Sequence, residues 1–289
     1  MKFLLKSGAI AGVSVVALLA TSADARHQWR KYAWAWDGTP LAVVIYDNTA
    51  SSDWQGRAAA ASAAWNESPS VNGTVKGGNN PECDFITGQI HVCSDDYGSV
   101  GWLGLASISL NGNEIKAGWT KVNDFYFNQP RYDSDIWRQL VMCQEIGHDY
   151  GLGHQNENFN SNTTDSCMEY TSTPTEIDMT PDAHDYEQLE AMYPTSGGTG
   201  DGGGNGGGKG GNKPRGKPAS LPSVGNTPES WGRPIDFLPN GKPFVYERAL
   251  SDGTRIVTHV TWTIEAAGEH GDHHHEGPRR HKGERIFDF

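Results

Sequence analysis

The residues with the clearest chemical content lie in one run, Gln144-Glu145-Ile146-Gly147-His148-Asp149-Tyr150-Gly151-Leu152-Gly153-His154. On a helix, positions four apart share a face, so Gln144 and His148 point the same way with Glu145 beside them. Gly151 can take the left-handed conformation that ends a helix and turns the chain back, which returns His154 over the same point. Two imidazoles, an amide oxygen and a carboxylate then converge. That donor set suits one Zn²⁺ ligated by Gln144, His148 and His154, with a position left open to water. Glu145 is adjacent to the ligands without being one of them, the place of a general base that takes a proton from that water.

The elements that must position these groups can be traced along the chain. Leu41–Tyr46 is a short β-branched run between Pro40 and Asp47-Asn48, which predicts a buried strand. Asp53 is expected to cap an Ala-rich helix that runs to Asn66 and stops at Ser68-Pro69. Strands are expected at 72–76, 89–94, 102–110 and 114–127, the last two joined by the turn Asn111-Gly112-Asn113. A helix opened by Asp133 or Ser134 carries the chemical run and ends at Gly151, and Thr180-Pro181 opens a further helix reaching about Tyr193. The pattern is α+β: a twisted sheet with an active-site helix and a C-terminal helix.

The run resembles the H-E-x-x-H-x-x-G-x-x-H signature of the metzincin metallopeptidases of matrixin or astacin type, with Gln144 in place of the first His. Ser166-Cys167-Met168-Glu169-Tyr170 is similar to the S-x-M-x-Y Met-turn of that clan, in which Met168 would be the structural methionine beneath the metal. In the astacin-like and serralysin-like branches the tyrosine two residues on ligates or borders the metal and helps stabilise the transition state, and Tyr170 holds that place. The order of elements also matches, over about residues 37–194. The resemblance implies a secreted zinc endopeptidase that hydrolyses peptide bonds of a protein or peptide substrate, with one catalytic Zn²⁺ and with Glu145 and Tyr170 as catalytic residues.

Gln144 is the departure from that pattern. An amide oxygen is a weaker, harder ligand than an imidazole. Either the amide or Tyr170 closes the shell around a more Lewis-acidic metal, or affinity falls and leaves a catalytically inactive secreted binding or adhesion protein. The retained Glu145 favours catalysis. In the second reading, Trp231, Phe237, Phe244, Tyr246 and Trp262 would contact a cell-surface or polymer partner. Of the other histidines, His91 is expected to be a surface or core residue, His184 a solvated or capping one, and His259 a cross-strand packing residue.

Composition sets the compartment and the domain plan. Lys2 and Lys6, the apolar run Ala9–Ala20 and Ala23-Asp24-Ala25 make a secretory signal peptide over 1–25, which places the mature protein outside the cell or in a periplasm. In such a compartment the four cysteines are disulfides before they are thiols. Three pairings are open; Cys83–Cys93 closes a short loop, and Cys143–Cys167 would tie the active-site helix to the Met-turn. Eleven of the 36 glycines fall within 197–211, so a peptidase-like domain at 26–195 is followed by a Gly-rich linker at 196–220. Pro243–Leu250 and Arg255–Ile264 alternate around Ser251-Asp252-Gly253-Thr254, a hairpin within a small module at 221–265 that either packs on the main domain or stands with the stretch Trp231–Phe237. A His-rich tail occupies 266–289 and is expected to be disordered. A net charge of -12 argues against a nucleic-acid partner, and no apolar run is long enough to span a membrane in the mature chain.

Overall fold

The buried strand expected at Leu41 anchors a mixed sheet. In the computed structural model, which describes residues 27–159, 165–195, 221 and 223–268, the first elements are β1 (Ala33–Trp34), β2 (Leu41–Asn48), α1 (Arg57–Trp65), β3 (Val71–Gly77), β4 (Gln89–Asp95), β5 (Trp102–Asn111) and β6 (Glu114–Asn123). There follow α2 (Asp124–Phe127), α3 (Asp135–Asp149), α4 (Ala183–Met192), α5 (Pro228–Trp231), β7 (Arg233–Phe237), β8 (Pro243–Ala249), β9 (Arg255–Trp262) and α6 (Ile264–Ala267). The expected signal peptide, the whole of the linker and residues 269–289 lie outside the described residues.

The strand order is β3-β2-β4-β6-β5-β9-β8-β7, with β1 beside the start of β6. Strands β2, β3, β4 and β6 run parallel, and α1 supplies the crossover that parallel β2 and β3 require. From β5 onward every pairing is antiparallel. The protein is thus α+β, with α1 and α3 packed together and α3 laid on β5 and β6.

Several boundaries differ from the sequence reading for local reasons. Asp53 caps nothing. A single 3-10 turn at Ser52–Trp54 is capped by the Ser51 hydroxyl, and α1 begins only after Gly56 at φ +80°, which redirects the chain once Trp54 has entered the core. The strand expected to reach 127 stops at Asn123, whose side chain accepts from Phe125 N and starts α2. Asp182, not Thr180, caps α4, in a reciprocal capping box with Asp185.

The C-terminal hairpin packs on the main sheet. Strand β9 pairs with β5 from Trp102↔Trp262 to Leu110↔Arg255, covering what would otherwise be the free edge of residues 27–195. Trp231, Phe244, Tyr246 and Trp262 are buried in that junction and only Phe237 is exposed. This corrects the expected aromatic contact face: those rings seal the hairpin to the sheet. Both disulfides form as Cys83–Cys93 and Cys143–Cys167. No helix among the described residues is long and apolar enough to cross a membrane.

Candidate metal centre

Helix α3 is held on all sides, which fixes the direction of every side chain on it. Ser134 caps it through Trp137 N at 3.2 Å, and Asp135 sits in the first turn where the helix dipole favours an acid. From Leu140 to Asp149 every residue is buried. Trp65 of α1 donates to the Cys143 carbonyl at 3.0 Å, and the Cys143–Cys167 bridge ties the helix to the segment carrying Met168. Gly151, at φ +97°, turns the chain immediately after the helix, and its approach to the Tyr32 carbonyl leaves no room for a Cβ. The chain then returns to place His154 with ring centroid 4.9 Å from that of His148.

The segment carrying Met168 is fixed from below. Ser166 Oγ accepts from Met168 N at 2.9 Å and donates to Asp185 Oδ2 at 2.5 Å, so the cap of α4 also holds the turn. Met168 is fully buried against Gly147 of α3. Tyr170 lies with its ring 4.2 Å from His154 and its hydroxyl donating to the Val260 carbonyl at 3.2 Å.

The third imidazole is His259, which corrects the sequence reading of that residue as cross-strand packing. The β5–β9 register sets it opposite Ala106, over the end of α3, with its ring 3.7 Å from His148 and 4.5 Å from His154. One nitrogen from each of His148, His154 and His259 lies within 4.8 Å of the others. Gln144, expected as a ligand, is engaged elsewhere in this structure. Its amide nitrogen donates to the carbonyls of Cys167 at 2.9 Å and Glu169 at 3.2 Å, and its Oε1 accepts from Thr261 Oγ1 at 2.8 Å. Two carbonyl acceptors can be served only by the NH₂ end, so the amide orientation is determined.

The donor set fits a metal. His148 Nδ1 is 2.8 Å from the Leu152 carbonyl, which can only accept, so Nδ1 carries the hydrogen and Nε2 presents its lone pair. That Nε2, both ring nitrogens of His154 and of His259, and both oxygens of Glu145 are buried without a hydrogen-bond partner. Such orphaned polar atoms are costly unless something unites them. Burial pushes His148 down to about 4 and holds His154 and His259 well below the usual imidazole range, each neighbouring imidazole adding to the effect. All three are therefore neutral, the form in which imidazole ligates. Burial pushes Glu145 up to about 8, with the nearby Thr261 hydroxyl opposing the shift, and Gly104 of β5 leaves the space its carboxylate fills.

His91 matches its expected reading as a core residue, whereas His184, expected to be solvated or capping, is half-buried and packed. His91 is buried between Gln89 and Asn48, and His184 bonds Gln155 and stacks on His27. His259 escaped because it stands 105 residues beyond His154 in an ordinary alternating strand. The available signal was the missing first imidazole itself, which asks for a replacement from another element.

No family model and no curated protein matches the chain. Among solved structures it is similar to myroilysin, at 13% identity over 58% of this chain and 98% of that one, with a TM-score of 0.35. A second myroilysin crystal structure gives 12% identity over 55% and 86% at 0.33. High choriolytic enzyme 1, a hatching enzyme zinc-protease from Oryzias latipes, gives 14% over 56% and 94% at 0.33. Scores this low decide neither family nor activity. The functional case rests on the site.

Proposed function

We propose that this protein is a secreted zinc-dependent endopeptidase whose metal is held by His148, His154 and, in the conformation described here, His259. The observation that carries the reading is the convergence of three neutral imidazoles, two of them buried and His154 half-buried, with covered and unsatisfied ring nitrogens beside an unsatisfied carboxylate, Glu145. A zinc ion there would supply Lewis acidity to a scissile carbonyl and to water. The chain's own residues do the rest. Leu152 fixes the His148 tautomer through Nδ1, and Glu145, ionised once a neighbouring cation offsets the burial that otherwise holds its proton, would take a proton from water and return it to the leaving amine. Tyr170, its hydroxyl kept protonated by burial, gives its one hydrogen to the Val260 carbonyl here and would donate to a developing oxyanion on exchanging that bond. The Met168 turn and the Cys143–Cys167 bridge keep the helix in register beneath these groups.

Zinc analysis of the purified mature chain, beside His148→Ala/His154→Ala, is the test. We expect a single zinc that the double variant lacks, over whatever the tail histidines take up in both, and casein cleavage that Glu145→Ala abolishes. Equal zinc in both proteins would refute the metal centre, and cleavage that survives Glu145→Ala would refute the base. The complete burial of Glu145 favours a second reading, a closed centre that binds zinc for structure and cleaves nothing.

A further inference from the structure

Three consecutive residues of β9 each engage a different part of the centre. His259 stacks on His148, the Val260 carbonyl accepts from the Tyr170 hydroxyl, and Thr261 Oγ1 donates to Gln144 Oε1. The match has a geometric basis. Residues two apart on a strand face one way and lie about 6.7 Å apart, while residues four apart on a helix share a face about 6 Å apart. His259 and Thr261 on β9 therefore meet His148 and Gln144 on α3 as a matched pair. The same strand covers β5, and with it in place Glu145, Gln144 and His148 are 0% exposed and Tyr170 is 2% exposed. A peptide has no route to the carboxylate. Yet the covering strand belongs to a segment joined to the rest through the glycine-rich stretch 196–220.

We propose that β9 is a displaceable plug supplied by the chain itself, a closing strand laid antiparallel along β5 that puts His259 where solvent would otherwise meet the metal. The proposal rests on the zinc reading above. Departure of β9 removes His259 and Thr261 together, so the Gln144 oxygen loses its donor as the third imidazole leaves. The freed amide oxygen then faces the centre on the same helix side as His148, and the open β5 edge accepts an extended peptide by strand addition. The amide at position 144 is thus a ligand held in reserve: an imidazole there would compete with His259 in the closed state.

The tether sets how firmly the plug is held. Glycine-rich linkers of about 25 residues in general have a root-mean-square span of about 28 Å, which corresponds to a local concentration in the millimolar range. An intact chain therefore keeps the same small open fraction at any dilution, whereas a chain cut in the linker opens further as it is diluted. The test places a site-specific protease sequence within 199–211 of the full chain and compares intact with nicked protein, both zinc-loaded. Nicked protein should gain at least tenfold in cleavage per molecule on dilution from about 10 μM to about 10 nM. Its β5 amides should lose protection from hydrogen exchange over the same range, and a synthetic peptide spanning 243–265 should reverse both effects. The intact chain should show no dilution dependence. His259→Ala in the intact chain should raise cleavage and retain zinc.

Nicked protein whose β5 amides stay protected at every dilution would overturn the plug, as would His259→Ala that loses zinc as completely as His148→Ala. If β5 deprotects on dilution and zinc is held but no form cleaves, the plug stands and the peptidase reading fails.

Discussion

Replacing Gly147 by alanine sets two known effects against each other inside α3. A glycine-to-alanine change in a helix interior normally gains about 1 kcal/mol from backbone entropy. Here the added Cβ would stand 2.5 Å from Met168 Sδ and 2.6 Å from Trp65 Cζ2, against an ordinary carbon contact of about 3.5–4.0 Å. Both neighbours are fully buried, and the Trp65 ring is further fixed by its bond to the Cys143 carbonyl, so neither can withdraw into solvent. Overpacking of this kind costs about 1–3 kcal/mol, and two simultaneous contacts belong at the upper end. The expected net effect is a loss of about 1–2 kcal/mol in urea unfolding of the zinc-free protein, with unchanged m. Zinc affinity should fall in parallel because His148 is the next residue. Met168→Ala in the same background removes one of the two clashes, so the double variant should be less destabilised than the sum of the singles by about 1 kcal/mol. A Gly147→Ala protein more stable than wild type would mean that α3 does not rest on the Met168 turn, and the argument for ligand positioning would fall with it.

Two further outcomes follow from groups outside the centre. Cys143→Ser/Cys167→Ser opens a loop with a sequence separation of 24 and should cost about 3.5 kcal/mol in chemical unfolding; a change below about 1 kcal/mol would contradict the loop-closure account. Lys121 is buried on β6, with Nζ 3.1 Å from Asn226 Oδ1 and over the Trp119 ring, and burial lowers it from its ordinary value of 10.5 to about 8. Between those two values the unfolded chain binds the extra proton, so stability rises with pH there, by up to about 3 kcal/mol, and the penalty is fully present below pH 8. Lys121→Met should remove that slope, and identical pH profiles of unfolding for variant and wild type would refute the assignment.

The parts of this molecule that were legible in its sequence are those whose determinants are local. Ser134, the apolar residues Ile136, Leu140 and Val141 of α3 and Gly151 announce the helix and its end within one stretch; Glu145 and His148 follow from helical spacing, and His154 from the turn at Gly151. The cysteine neighbours of Gln144 and Met168 predicted the bridge between their segments for the same reason. His259 was hidden because its place depends on a strand pairing that no local pattern encodes. The alternation of Arg255–Trp262 predicts a strand but says nothing about its neighbour. Burial on both faces of β9 likewise follows from insertion between β5 and β8. Gln144 misled in the opposite way: its spacing is that of a ligand, and only the tertiary contact with Thr261 shows its oxygen occupied.

The β5–β9 seam joins residues distant in sequence, Ser107 and Thr258 among them at a separation of 151. Chains fold from the N-terminus as they are made, at about 5–20 residues per second. Roughly 100 residues separate His154 from His259, so the first two imidazoles can come together some 5–20 s before the third exists. The long glycine-rich connection adds little to the later closure, since doubling a loop costs only about 0.6 kcal/mol. A cell that let this chain fold during synthesis would hold an open centre before its covering strand had been translated. Were the chain exported unfolded, as the expected signal peptide implies, that interval would vanish and β9 would close the sheet after translocation.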